Sequence, residues 1–395
     1  MKLITDLENY MTYNYVATCL FGLESLLGEE IDTLGYKRIE TIDGRVTFEG
    51  DELACARCNI NLRFAERLYL LLGTFEAYTF DDLFEGVKAL PLEDYISMTD
   101  EYPVSGHSIK SCLFSIPDCQ RIIKKAASVR LASKYGVSTL PENGVRKKLE
   151  FFILKDKVSL MIDLSGTPLH KRGYRPETVA APLRETLAAA MAKISRPRED
   201  VLLRDPFCGS GTIAIEGAMM MKNIAPGVVR RFSAEKYELF PEKLWKSARE
   251  EALSLIRRDC TFEALGSDID ENCVRIATEA ARRAGVSDLV SFRCEDALSI
   301  GKEGRRGTIV TNPPYGERLM TEEETAELYR RMGEHFKTLE PWQFYIITPF
   351  DNFPRLFGRR ADKIRKLYNG MIPCFLYQFF KNDRSKNDRN PRQSK

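Results

Sequence analysis

Asn312-Pro313-Pro314-Tyr315 follows the strand-like run Gly307-Thr308-Ile309-Val310-Thr311, and its residue types suit the capture of an amino group on a flat base. An exocyclic amine is a weak nucleophile because its lone pair is delocalised into the ring. A catalyst therefore has to hold the NH2 and draw it toward tetrahedral geometry. The Asn312 side-chain oxygen and the Pro313 carbonyl can each accept one N–H, Pro313 and Pro314 stiffen the loop, and Tyr315 can cover the face of the base. Neither a metal nor a strong base is needed. The same four residues would also make a plain Pro-Pro turn, so the tetrapeptide needs support from the rest of the chain.

A second candidate site lies upstream. Val201-Leu202-Leu203-Arg204 reads as a short apolar strand, Asp205-Pro206-Phe207-Cys208-Gly209-Ser210-Gly211-Thr212 as a glycine loop, and Ile213 to Met220 as a helix. Gly209 and Gly211 remove side chains where a ligand must approach the backbone, and the helix N-terminus offers N–H groups to an anionic or zwitterionic ligand. A phosphate-binding loop would carry a Lys, and a dinucleotide fold would carry a third spaced glycine with an acid about twenty residues on. Both are missing. Instead Asp268 ends a second strand with a carboxylate suited to ribose hydroxyls, and Asp296 follows a third with one suited to an adenine amine. An adenosyl ligand without phosphates fits this set best.

The ordered series Asp205 to Thr212, Gly266-Ser267-Asp268-Ile269-Asp270, Glu295-Asp296-Ala297 and Asn312 to Leu319 resembles the class I S-adenosylmethionine methyltransferases over roughly residues 166–380. Asn-Pro-Pro-Tyr is shared by members that methylate exocyclic amines. The extension Gly316-Glu317-Arg318-Leu319 is similar to THUMP-domain RNA guanine-N2 methyltransferases, the RlmL-like bacterial 23S rRNA enzymes among them. The lead-in Pro168 to Arg175 and the run Ala181 to Ala190 resemble the segment that joins a THUMP domain to its catalytic domain. The resemblance implies S-adenosyl-L-methionine as cofactor, held by Asp205, Cys208, Gly209, Ser210, Gly211, Thr212, Asp268, Ile269, Asp296 and Ala297, with Asn312, Pro313, Pro314 and Tyr315 at the reacting amine. It implies RNA as partner, 23S rRNA first and tRNA second. A DNA amino-methyltransferase and a non-catalytic RNA-binding assembly factor stay open as alternatives.

With 395 residues, 44% of them hydrophobic and 29% charged, the chain exceeds one usual core. No apolar run approaches membrane-spanning length, and the N-terminus lacks an export signal, so a cytoplasmic enzyme is the expectation. Ten scattered cysteines suit a reducing compartment. Cys55 and Cys58, the one close pair, have no second pair or histidines at ligand spacing, so they read as small helix residues and no metal site is expected. Cys208 reads as a small loop residue, and His107, His170 and His335 stand too far apart to work together. Residues 1–100 carry 8 Lys and Arg against 19 Asp and Glu; with +2 overall, the remainder carries +13. That positive charge gathers at Arg121, Lys124, Lys125, Arg130 and Lys134 on a helix-like stretch, at Arg146, Lys147 and Lys148, and at Lys171, Arg172 and Arg175 in the linker. These are candidate RNA contacts.

Periodicity divides the chain into an α+β ferredoxin-like module (1–65), a THUMP module (66–165), a Rossmann-like α/β domain with a seven-stranded sheet (166–380) and a flexible basic tail (381–395). Strands are expected at Tyr13–Cys19, about 39–41 and 45–49 across an Asp43-Gly44 turn, 148–154 and 158–163. In the third piece they fall near 201–205, 263–268, 289–294, 307–311, 343–348, 363–368 and 374–380, the last two as an antiparallel hairpin. The aromatic connection 222–258 is expected to add helices beside the cleft, with Trp245 in a core.

Overall fold

The structure, a computed structural model, describes residues 12–175, 183–315, 320–370 and 372–380. The Ala181-Pro182 pair, the Gly316-Glu317-Arg318-Leu319 extension and the tail 381–395 lie outside the described residues. The elements run β1 (Tyr13–Cys19), α1 (Glu24–Thr33), β2 (Lys37–Ile42), β3 (Arg45–Gly50), α2 (Glu52–Asn61), β4 (Ala65–Glu76), α3 (Phe80–Ala89), β5 (Val104–Ile109), α4 (Ile116–Tyr135), β6 (Leu149–Leu154) and β7 (Lys157–Asp163). They continue α5 (Glu185–Ile194), β8 (Leu202–Asp205), α6 (Thr212–Met221), α7 (Glu242–Ser254), β9 (Ala264–Asp268), α8 (Glu271–Ala284), β10 (Val290–Cys294), β11 (Gly307–Thr311), α9 (Glu322–Thr338), β12 (Gln343–Thr348), α10 (Phe353–Leu356), β13 (Lys363–Asn369) and β14 (Ile372–Phe379). The described residues form two compact units: those within 12–19, 24–171 and 225–254 in one, those within 20–23, 172–224 and 255–380 in the other.

The first unit is one sheet in the order β2-β3-β1-β4-β7-β6-β5. The division read from the sequence at 65/66 falls at the start of β4, a twelve-residue strand that pairs with β1 on one side and β7 on the other. Hydrogen bonding along both edges of β4 joins the two halves into a single sheet. On α2, Cys55 and Cys58 are fully buried, and burial pushes both thiols well above their ordinary range. They pack as small core residues.

Residues 225–254 of the aromatic connection, expected beside the cleft, are built into this first unit. Gly227 N–H donates to Ile60 O at 2.8 Å, and Arg57 on α2 holds both carboxylate oxygens of Glu251 on α7 at 2.8 and 2.7 Å. Trp245 is buried, stacks on Phe232 at 5.5 Å and donates its indole N–H to Phe240 O, so it is a core residue.

The second unit is a sheet in the order β10-β9-β8-β11-β12-β14-β13, parallel throughout except that β14 runs antiparallel to both of its neighbours. The central strands are short apolar runs because helices cover both faces of such a sheet. Tyr329, Met332 and Phe336 of α9 pack with Trp342, Phe344, Phe353 and Phe357 over Ile309 and Ile346. A capping box of Thr321 and Glu324 starts α9, and Gly285 in a left-handed conformation ends α8.

Two basic residues expected to face RNA turn out to fasten the entry of this unit to its helices. Arg172 is fully buried with its Nε 3.3 Å from Glu216 of α6, whose same oxygen accepts the Tyr174 hydroxyl at 3.1 Å. Arg175 pairs with Glu185 of α5 at 2.7 Å. A guanidinium taken out of water needs such a partner, so these charges serve the fold. Glu216→Ala removes the carboxylate that Arg172 and Tyr174 share and should cost about 3–5 kcal/mol in urea unfolding, with Glu216→Gln costing less because it keeps an acceptor for Tyr174.

Candidate active site

β8 and β11 are adjacent parallel strands, with Leu202, Leu203 and Arg204 in register with Gly307, Thr308 and Ile309. The glycine loop after β8 and the Asn-Pro-Pro-Tyr loop after β11 therefore leave the sheet at the same edge, the carboxyl ends of the strands, where open α/β sheets bind their ligands. One hydrogen bond ties the two loops: Thr311 Oγ1 donates to Asp205 Oδ1 at 2.7 Å. The same carboxylate oxygen accepts Phe207 N–H at 3.3 Å. Burial pushes the Asp205 carboxyl up to about 7, the two hydrogen bonds work against that rise, and the neighbouring Asp268 adds to it. Asp205 is fully buried, and its Oδ1 alone carries both bonds, one to each loop.

The loop itself is held by backbone bonds from Cys208 N–H to Ser267 O (2.9 Å) and from Gly211 N–H to Cys208 O (2.7 Å). Gly209 N–H donates to Asp268 Oδ2 at 3.0 Å, while Asp268 Oδ1 accepts Asp270 N–H at 3.0 Å. Gly209 and Gly211 both have positive φ (+50° and +77°), but they serve different ends. A Cβ on Gly209 would meet nothing within 4 Å, which leaves open space over its backbone. A Cβ on Gly211 would come within 2.6 Å of the Phe292 ring, and one on Gly266 within 2.5 Å of it. Gly211 is thus required by the packing of Phe292, where the sequence suggested ligand approach. Ser210 and Thr212 are buried and share a hydroxyl contact of 3.1 Å. Burial drives the Cys208 thiol far up, which keeps it protonated and unreactive.

The residues at the neighbouring strand ends complete the set. Ile269 is 75% exposed directly after Asp268 and offers an apolar face. Asp296 is exposed with one oxygen accepting Leu298 N–H at 2.9 Å, and Ala297 beside it is buried. Behind them Arg204, fully buried on β8, reaches across β9 to Ser267 Oγ (3.2 Å) and to Glu295 after β10. The open backbone at Gly209, the Asp268 and Asp296 carboxylates and the exposed Ile269 together match a ligand with a zwitterionic end, sugar hydroxyls and a flat purine.

At the proline loop, Asn312 Oδ1 is buried and accepts no hydrogen bond among the described residues. Buried acceptors are almost always satisfied, so this one awaits an N–H. Pro313 is buried, and Pro314 and Tyr315 are half-buried. The Tyr315 hydroxyl accepts from Asn369 Nδ2 at 3.0 Å and contacts Cys374; burial pushes it up to about 12, so the ring stays neutral. Tyr329 of α9 points its hydroxyl at Pro314 O (3.4 Å) and Thr348 Oγ1 (2.9 Å). Sequence reasoning missed Thr311, Arg204, Tyr329, Asn369 and Cys374. Only Thr311, a hydroxyl directly before Asn312 in a buried strand, carried any local signal.

The basic positions of the first unit separate into two groups. Lys147 is buried, pairs with Asp100 at 2.7 Å and donates to Tyr95 O, which removes it from the candidate RNA face. Lys124 is half-buried over the Tyr102 ring and pairs with Glu142, Lys148 pairs with Glu150, and Arg130 and Lys134 converge on Glu93. Arg121 is exposed beside Asp118. Lys125, Arg146 and Lys171 are exposed without an ion pair among the described residues. His170 is engaged with Glu66 at 2.8 Å.

A sheet of this order, with a glycine loop after β8, acids after β9 and β10 and an Asn-Pro-Pro-Tyr loop after β11, defines a class I S-adenosylmethionine-dependent methyltransferase. Residues 172–378 match the RMKL-like methyltransferase domain, residues 14–69 the RlmL ferredoxin-like domain and residues 77–163 the THUMP domain. YpsC of Bacillus subtilis (strain 168), provisionally named an RNA methyltransferase, is 42% identical over 93% of this chain and 96% of its own length. The ribosomal RNA large subunit methyltransferase K/L of Psychromonas ingrahamii is 33% identical over 91% of this chain, and the chain spans 49% of that protein. The crystal structure of SMU.472, provisionally named a methyltransferase and complexed with SAH, superposes with a TM-score of 0.88 at 40% identity, over 94% of this chain and 98% of that one. The chain belongs to the RMKL-like methyltransferase family.

Because the folded-state value of Asp205 lies above that of the unfolded chain, the stability it contributes is complete below about pH 4 and is lost as the pH rises through about 7. Asp205→Asn should therefore gain thermal stability relative to the wild type as the pH is raised from 5 to 8. A melting-temperature difference that stays flat across that range would contradict the buried, neutral-leaning carboxyl.

Proposed function

We propose that this protein methylates the exocyclic amine, N2, of a guanine in RNA, with 23S rRNA as the substrate. The observation that carries the reading is the buried, unsatisfied Asn312 Oδ1 at the end of β11, beside the loop that Thr311 and Asp205 tie to it. Support for RNA comes from the THUMP match and from the names of the relatives; the K/L enzymes, about half of whose length this chain spans, favour ribosomal RNA. The ten cysteines are all free thiols, in keeping with a cytoplasmic site of action.

The residues that would hold S-adenosylmethionine are Gly209, Asp268, Ile269 and Asp296. Bound there, it supplies a methyl group activated by an adjoining sulfonium. Asn312 Oδ1 and the Pro313 carbonyl accept the two N–H bonds of the amine and turn its lone pair out of conjugation with the ring. Tyr315, fixed by Asn369, flanks the base and sets its plane. A guanine inside a stack cannot reach this loop, so the target nucleotide has to be extruded or unpaired. The protein contributes mainly alignment, and alignment alone lowers barriers by several kcal/mol.

Asn312→Ala should reduce turnover by about a hundred- to a thousandfold, the scale of losing one aligned hydrogen-bonding group at the reacting centre. Its affinity for S-adenosylhomocysteine in calorimetry should stay near wild type. Digested 23S rRNA from cells lacking the protein should lose one N2-methylguanosine by mass spectrometry, restored by the wild-type gene and not by the Asn312→Ala variant. Loss of the nucleoside from tRNA instead would reassign the RNA, and transfer to DNA with none to RNA would overturn the reading.

A further inference from the structure

We propose that β13, the outermost strand of the catalytic sheet, is the track on which the single-stranded RNA next to the target nucleotide lies; this rests on the RNA reading above. The strand reads Lys363-Ile364-Arg365-Lys366-Leu367-Tyr368-Asn369 and pairs only with β14, whose residues Ile372–Phe379 include no charged side chain. Three cations thus sit on one edge with no carboxylate across the ladder. None of them has an ion-pair partner among the described residues, whereas the nearby Arg359 lies within 3.8 Å of Glu340. Lys363 and Lys366 are exposed. Arg365 is half-buried, and its Nε is buried without an acceptor.

Of the three cations, Lys366 shares its face of the strand with aromatic surface, and Lys363 and Arg365 alternate to the other face of the same edge. Lys366 Nζ lies 5.7 Å from the Tyr368 ring, and the half-exposed Phe21 meets that ring edge-on at 5.6 Å. Ile364, 52% exposed, shares their face by strand alternation. Cations that take phosphates and rings that take base faces are the combination that holds single-stranded nucleic acid, and extruding a base requires unpaired flanks. The strand also leads to the clamp, because Asn369 at its end donates to the Tyr315 hydroxyl at 3.0 Å. A phosphodiester chain on this edge would deliver its next nucleotide to Asn312.

The test uses the full chain and total RNA from cells lacking the protein, with a tritiated methyl donor. Lys363→Gln/Lys366→Gln should raise KM for RNA about tenfold, leave kcat within about twofold, and reduce the salt slope of kcat/KM by about 1–2. Tyr368→Leu should raise KM about fivefold with the salt slope unchanged, as expected for a lost stacking partner. S-adenosylhomocysteine affinity and melting temperature should match wild type in all variants. Lysines on an edge strand also discourage strand pairing between molecules; variants that only aggregate sooner, with KM and salt slope unchanged, would overturn the proposal and leave the functional reading intact. If the wild type transfers no methyl group to this RNA, the functional reading fails and the track fails with it.

Discussion

The hydrogen bond from Thr311 to Asp205 is the contact on which the site depends. It is buried, it is 2.7 Å long, and it joins the last residue of one parallel strand to the last residue of its neighbour. In the proposed reaction a methyl donor and an acceptor amine have to meet in close contact, and strand adjacency alone leaves the spacing of the two loops loosely fixed. The hydroxyl–carboxylate bond sets the remaining distance. It is made in a region that burial keeps water out of, which strengthens it and raises the cost of breaking it.

The surrounding packing serves the same end. Phe292 occupies the space left by Gly211 and Gly266, so the loop cannot shift toward the sheet. Arg204 reaches beneath it to Ser267 and Glu295, linking three strands at their carboxyl ends. On the other side, Tyr329 and Asn369 hold the Pro-Pro-Tyr segment from α9 and from the β13–β14 hairpin. Among the described residues, the backbone over Gly209 is left open and Asn312 Oδ1 is left as an unsatisfied acceptor. Preorganisation of this kind is what a reaction limited by alignment requires.

The basic residues show how a charge in a sequence divides between fold and function. Lys147, Arg172 and Arg175 are fastened to Asp100, Glu216 and Glu185, and moving any of these carboxylates would leave a cation stranded away from water. Lys125, Arg146 and Lys171 in the first unit, and Lys363 and Lys366 in the second, remain exposed without an ion pair among the described residues. Counting Lys and Arg along the chain cannot separate these groups, since a buried pair and an exposed cation share the same letter.

Much of the second unit was legible in the sequence: all seven strands of its sheet lie within two residues of the expected bounds, and at β8, β9 and β11 a short run that stops at Asp205, at Asp268 or just before Asn312 announces both the strand and its end. Asp205, Gly209, Asp268 and Asn312 were legible for the same reason, as polar or glycine residues placed where a buried strand must stop. β4 and β5 escaped notice: β4 is half polar over its second half, and β5 (Val-Ser-Gly-His-Ser-Ile) has little apolar character, so their pairing rests on neighbours far along the chain. The placement of residues 225–254 with the first unit also escaped, since the Arg57–Glu251 pair joins positions 194 apart. Thr311, Phe292, Tyr329 and Asn369 acquire their roles only through such long-range contacts. Local sequence determined which residues end each strand; the tertiary structure decided which of those ends meet, because hydrogen bonding across a sheet depends on strand order, and strand order is written in no short stretch of residues.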